Sequence, residues 1–145
     1  NLRGPVMEQP QYNLLYRQRF EQEYDPIFKK YGIGTTIWSP LASGVLSGKY
    51  MKRMPVKHRF KVKGYEWLKE ELLKEDFNPK LNLIKEIANG LGVTMAQLSI
   101  AWCLKNKNVS SVILGASKTS QLKENLKALE VYPKLNEQIM NFLNN

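Results

Sequence analysis

Cysteine is almost absent from this chain of 145 residues. Cys103 stands alone, so no disulfide can form within the chain, and this usage fits a reducing compartment such as the cytosol. Histidine is equally scarce, with His58 the single copy, so the paired Cys and His spacings of a zinc finger are excluded. No apolar run is long enough to span a membrane, and the first residues lack the pattern of a secretory signal. The chain opens on Asn1 without an initiator methionine, and a piece of a longer polypeptide is expected.

Acids are also in short supply. Asp and Glu total 13 against 22 Lys and Arg, a formal net charge of +9. No acid falls between Lys49 and Lys63, where Lys52, Arg53, Lys57, Arg59 and Lys61 cluster with His58. Such a run is either an anion site or, more commonly, a solvated basic loop. No RNA-recognition signature or basic heptad helix accompanies it, and nucleic acid is not expected as a partner.

What is present suffices for one globular domain, since 43% of the residues are hydrophobic. Pro5 to Gln9 reads as a short strand. Gln11 to Tyr31 contains a helix, with Phe20, Tyr24, Ile27, Phe28 and Tyr31 at helical spacing and Gly32 to end it. Gly34 to Ser39 is a second strand, and a helix is expected near Tyr65. Pro79 precedes another helix, with Leu81, Ile84, Ile87, Ala88 and Leu91 inward. Thr94 with Gln97 forms a capping box that starts a helix through Lys105. Val109 to Leu114 is a third strand. A helix from about Thr119 to Leu129 and a last short one after Pro133 complete the chain. Strands separated by helices imply right-handed crossovers and a parallel sheet. A parallel sheet of three strands has long edges, so the pattern predicts part of a larger sheet or barrel.

Two strand ends stand out. At the first, Trp38 is followed by the small-residue loop Ser39-Pro40-Leu41-Ala42-Ser43-Gly44 and then by Lys49. Small residues admit phosphates close to the backbone, Lys49 can neutralise them, and Trp38 offers a flat face to a heteroaromatic ring. A tight turn beside a core tryptophan explains the same residues, and composition alone favours it. At the second, Gly115 and Ser117 lie between strand and helix, where anions bind. Gln121, Glu124 and Asn125 share a helix face, beside an apolar stripe of Leu122, Leu126 and Leu129. An ordinary amphipathic helix with a wet polar face remains the commoner explanation.

In family order, the chain carries Glu8-Gln9-Pro10-Gln11-Tyr12-Asn13, Gly32-Ile33-Gly34, Trp38-Ser39-Pro40-Leu41-Ala42 and Ser47-Gly48-Lys49-Tyr50. Lys63-Gly64-Tyr65, Gln97 to Leu104, Val109 to Ser117 and Gln121 to Asn125 follow. These stretches resemble the C-terminal part of aldo-keto reductases, most closely the branch that holds voltage-gated potassium channel beta subunits. The resemblance implies an α/β fold, the C-terminal part of a TIM (β/α)8 barrel contributing about strands six to eight with their helices. It implies an oxidoreductase that binds NADP(H) and passes a hydride to a small aldehyde or ketone.

By the same resemblance, Gln9 would bond the nicotinamide carboxamide and Trp38 would stack on its ring. Ser39, Pro40, Leu41, Ala42, Ser43, Gly44 and Lys49 would hold the diphosphate. Arg59 and Ser117 would bind the 2′-phosphate, Gly115 would allow close backbone approach, and Gln121, Glu124 and Asn125 would meet the adenosine end. The catalytic Asp, Tyr, Lys and His or Asn of the family belong to the other half of the barrel, so no catalytic residue is assigned here. Tyr12, Tyr50, Lys49 and His58 occupy other positions, and Cys103 reads as packing. Gly115-Ala116 and Gln121 stand where the broader family often has Lys-Ser and Arg, which lowers the positive charge at the adenosine end. Lys57 stands where that branch often has an aromatic residue. Expected partners are the N-terminal half of the same barrel, a carbonyl substrate and, in a regulatory alternative, a potassium channel bound by a homotetramer that senses redox state. The expected location is cytoplasmic, without membrane insertion. Alone, the chain is expected to be neither an active reductase nor a stable monomer.

Overall fold

A computed structural model describes residues 2, 4–51, 63 and 77–144. Lys57, His58, Arg59 and the helix expected near Tyr65 lie outside the described residues. Three parallel strands, β1 (Met7–Glu8), β2 (Gly34–Ile37) and β3 (Ser111–Val112), form one sheet in that order. Met7 faces Gly34, and Thr36 faces Ser111. The strands are shorter than the sequence predicts. Pro10 explains the early end of β1: it has no N–H to extend the ladder, although its carbonyl accepts from Trp38 N at 3.0 Å. Pairing resumes once, at the bridge between Gln11 and Trp38.

The helix expected within residues 11–31 divides. A π-helical turn, Arg19–Glu23, is followed by α1, Asp25–Tyr31. Pro26 sits in the first turn of α1, where its missing N–H costs nothing; deeper in one continuous helix it would clash with the preceding turn. Phe20 and Phe28 point inward, whereas Ile27 and Tyr31 are exposed. Gly32 ends α1 in the left-handed conformation, as expected.

Helix α2 (Asn78–Gly90) buries Leu81, Ile84 and Ala88. Helix α3 (Met95–Lys105) starts at the predicted capping box, with Gln97 N donating to Thr94 Oγ1 at 3.2 Å and Thr94 N to Gln97 Oε1 at 3.0 Å. Every residue from Met95 to Cys103 is buried, so α3 is the central rod of the core. Tyr12 stacks on Phe20 with centroids 4.2 Å apart and leans on Trp102 at 5.0 Å. The predicted helix over 119–129 breaks at Lys127 into α4 (Thr119–Leu126) and α5 (Ala128–Val131). The expected apolar stripe of Leu122, Leu126 and Leu129 is exposed; Ala128 and Val131 face the core instead, and Asn125 is buried beside them. Helix α6 (Glu137–Asn144) closes the fold and buries Leu143.

Residues alternate across a strand, and residues paired in a parallel ladder share a face. Thr35 and Ile37 are fully buried on the face that carries the helices. Met7, Gln9, Trp38, Ser111 and Ile113 share the opposite face and are all exposed. Among the described residues, the sheet is therefore covered on one side only. Parallel sheets in finished domains are covered on both.

Candidate functional site

The site grows from the carboxyl edge of the sheet. Parallel pairing brings the ends of all three strands to one side, which is where parallel α/β folds bind ligands. Trp38 is 44% exposed there, yet its backbone is fixed on both sides. Its N–H donates to Pro10 O, and its carbonyl accepts from Tyr12 N at 3.3 Å. Gln9 and Gln11 lie on the same sheet face as Trp38, on the neighbouring strand.

The loop after Trp38 is conformationally unusual. Ser39, Ala42 and Ser43 have φ of 55°, 45° and 56°, a region that side chains other than glycine rarely adopt. Each such residue costs about 1–3 kcal/mol and persists only where its surroundings hold it. The hold is visible. Ala42 N donates to Ser39 O at 3.0 Å, Gly44 N to Leu41 O at 2.8 Å, and Ser47 Oγ to Gly44 O at 2.7 Å. Asn13 Nδ2 donates to Ser39 O at 2.9 Å from outside the loop. Pro40 and Ala42 are buried beneath the loop, while Ser39, Leu41, Ser43 and Gly44 are half-buried.

Gly44 has φ of 97°, and a Cβ there would lie on the Lys49 side chain. The exposed Lys49 thus folds back over the glycine, with its ammonium 4.7 Å from the Tyr50 ring centroid. Among the described residues no carboxylate pairs with it. The result is a cation, uncompensated among the described residues, above a loop of small residues.

The second strand end lies on the same edge, because Ile113 N donates to Ile37 O at 2.9 Å and continues the β2–β3 ladder. Gly115, Ser117 and Gln121 are exposed. Ser117 N, Ser117 Oγ and Lys118 N all donate to Gln121 Oε1, at 2.9, 3.0 and 3.2 Å. Three donors thus converge on one oxygen at the start of α4. Glu124 is tied elsewhere: Gln97 Nε2 donates to its Oε1 at 2.8 Å, and Lys127 Nζ lies 3.5 Å from its Oε2. Asn125 is buried. A groove of about 470 Å³ runs beside this contact, lined among others by Thr94, Gln97, Glu124, Lys127 and Glu130. The structure therefore brings Gln9, Trp38, the loop and Lys49 to one strand end and Ser117 with Gln121 to the next. Arg59 lies outside the described residues.

Two positions escaped the sequence reading. Asn13 was legible only as part of a motif, although an Asn ahead of a turn is a known capping signal. Gln97 was read as a cap, and its second task of gripping Glu124 has no local signal. Burial disfavours ionisation of two reactive types. It raises the Tyr12 hydroxyl well above the usual tyrosine range, countered by the Asn106 hydrogen bond and reinforced by Glu21. It raises the Cys103 thiol likewise. Among the described residues, no cluster of three His, Cys, Asp or Glu is placed to hold a metal, and no single helix is long and apolar enough to cross a membrane.

A family model described as "Aldo/keto reductase family" matches residues 2–144. The chain belongs to the aldo/keto reductase family. Among curated relatives, this aldo/keto reductase chain is 50% identical over 141 residues to a protein of Oryza sativa subsp. japonica. It is 51% identical over 136 residues to one of Arabidopsis thaliana. Both are named "Probable voltage-gated potassium channel subunit beta". The matches take in 97% and 93% of this chain but 43% and 42% of those proteins, so the chain spans less than half the length of either. The three-stranded parallel sheet, uncovered on one face among the described residues, agrees with part of the barrel that the family implies.

Proposed function

We propose that this chain is the NADP(H)-binding portion of an aldo-keto reductase, the C-terminal part of a TIM barrel contributing about strands six to eight. The observation that carries the reading is the shared carboxyl edge, with Trp38, a strained small-residue loop under Lys49, and the donors of Ser117 and Lys118 side by side. The residues fit the cofactor. Room for Lys49 over the loop exists only because position 44 is glycine. The donors that Gln121 now satisfies are those a phosphate oxygen would accept from.

In this reading Gln9 bonds the nicotinamide carboxamide and Trp38 covers one face of the ring, excluding water there. Ser39 to Gly44 and Lys49 hold the diphosphate, with Lys49 neutralising its charge. Gly115 admits the backbone closely, Ser117 and Arg59 take the 2′-phosphate, and Gln121, Glu124 and Asn125 meet the adenosine. When bound, the cofactor supplies the hydride that reduces an aldehyde or ketone. Position and field are this chain's contribution. The proton donor belongs to the rest of the barrel, which is the first partner proposed, and the setting is cytoplasmic.

The names of both relatives favour a second reading, in which the assembled protein is a subunit of a potassium channel; within it we propose a homotetrameric regulatory subunit whose bound cofactor reports redox state. Both readings use the same cofactor site. Titrating the intact protein with NADPH and NADH tests it. Tighter NADPH binding by about tenfold or more is expected, the worth of one charged contact. Equal affinities would remove the 2′-phosphate assignment of Ser117 and Arg59, and absence of binding would end both readings. Carbonyl turnover then separates an enzyme from a subunit whose cofactor only shifts the currents of a co-expressed channel.

A further inference from the structure

Asn13 does more than its position in a turn requires. It is fully buried, and its side chain makes three hydrogen bonds. Oδ1 accepts from Leu15 N at 2.9 Å and from Tyr16 N at 3.0 Å, closing the turn that follows. Nδ2 donates to the carbonyl of Ser39 at 2.9 Å, across to the end of the neighbouring strand. Two N–H groups on one side and a carbonyl on the other fix which end of the amide is which. The turn needs only the oxygen, and Asp or Ser would serve it. The nitrogen is spent on Ser39.

Ser39 is a residue in need of holding. Its φ of 55° is unfavourable for any side chain, and Pro40 restricts the residue before it further. Just upstream, Trp38 is already gripped through its N–H by Pro10 and through its carbonyl by Tyr12. The bond from Asn13 completes a clasp in which residues 10–13 hold residues 38 and 39 at the point where strand becomes loop.

The geometry points to Asn13 as a positioning residue for the cofactor site, fixing the left-handed turn at Ser39 and so the angle at which the loop leaves Trp38. This rests on the cofactor reading above. Asn13 does not touch the cofactor; it acts through Ser39. It therefore bears on the nicotinamide and diphosphate end, and not on the β3–α4 end, which Gln97 and Gln121 organise separately.

The test is Asn13→Asp in the intact protein, titrated with NADPH and with 2′,5′-ADP, which carries the adenosine and 2′-phosphate but no nicotinamide. The aspartate keeps the oxygen that caps the turn and loses the donor to Ser39. NADPH affinity should fall about tenfold or more, the scale of one buried hydrogen bond, while 2′,5′-ADP affinity stays near the parent's; the unfolding midpoint falls, because the variant buries a carboxylate against the Ser39 carbonyl, so both affinities are measured on the folded fraction. Measured against Ser39→Gly as its own reference, Asn13→Asp should cost much less NADPH affinity, because glycine adopts the left-handed turn unaided. If Asn13→Asp does not fold, Asn13→Ser decides in its place, since serine caps the turn but is too short to reach Ser39. Unchanged NADPH affinity, an equal loss for both ligands, or an undiminished loss in the Ser39→Gly background each overturns the proposal. Absence of binding to the unmodified protein is separately recognisable: it sinks the cofactor reading and this inference with it.

Discussion

Replacing Gly44 by alanine tests the loop directly, and Gly92 supplies the control. Both glycines have positive φ, 97° and 67°. Alanine in the left-handed region costs roughly 1–2 kcal/mol, so both variants should lose about that much stability in urea. Their surroundings differ. A Cβ at Gly92 meets nothing within 4 Å, whereas one at Gly44 meets the end of the Lys49 side chain. That end is flexible and will swing away, so the added cost in stability is small. The cost falls on binding, because the ammonium leaves its place above the loop. A charge-assisted hydrogen bond to a phosphate is worth about 1.5–3 kcal/mol, or roughly tenfold to a hundredfold in affinity. NADPH titration of the intact protein should therefore find Gly92→Ala close to the parent and Gly44→Ala weaker by that factor. Lys49→Met should weaken binding to a similar extent, and combining it with Gly44→Ala should add little, since both remove one contact. If Gly44→Ala binds NADPH as well as Gly92→Ala does, Lys49 has no role at the phosphates and the reasoning fails.

Trp38→Ala should leave the fold largely intact and slow hydride transfer while weakening NADPH binding; unfolding with unchanged affinity in the folded fraction would make Trp38 a packing residue. Tyr12→Phe should flatten the alkaline limb of stability. Above about pH 10 the unfolded tyrosine loses its proton while the buried one keeps it, so the native state binds more protons and stability falls by up to about 1.4 kcal/mol per pH unit. Urea midpoints between about pH 9 and 11 check this, and parallel slopes for parent and variant would count against the buried hydroxyl. The 145 residues expressed alone should self-associate or unfold without cooperativity and show no carbonyl reduction. Light scattering, denaturation and NADPH oxidation would show otherwise if a monomer unfolds cooperatively or turns over substrate.

Where elements announce themselves locally, the sequence is a good guide. Thr94 and Gln97 declared the start of α3, Gly32 declared the end of α1, and helices between apolar runs declared a parallel sheet. Pro26 and Pro10 were visible too, but their effect on the length of α1 and β1 depends on which N–H groups the neighbours need. The stripe of Leu122, Leu126 and Leu129 misled because periodicity shows that a helix has an apolar face and not what covers it. At the site, residue types and order were legible. The left-handed turns, the place of Lys49 and the reach of Asn13 were not, because each depends on a contact between segments distant in sequence.

The sheet face that the described residues leave uncovered inverts the usual meaning of exposure. Met7, Trp38 and Ile113 count as surface in this chain, so an engineer seeking a more soluble protein would replace them first. On the proposed reading they face the interior of a closed barrel. Polar replacements there would improve the behaviour of the isolated chain while destroying the surface by which it joins the rest. A screen for soluble expression and a screen for function would then select opposite residues at the same positions.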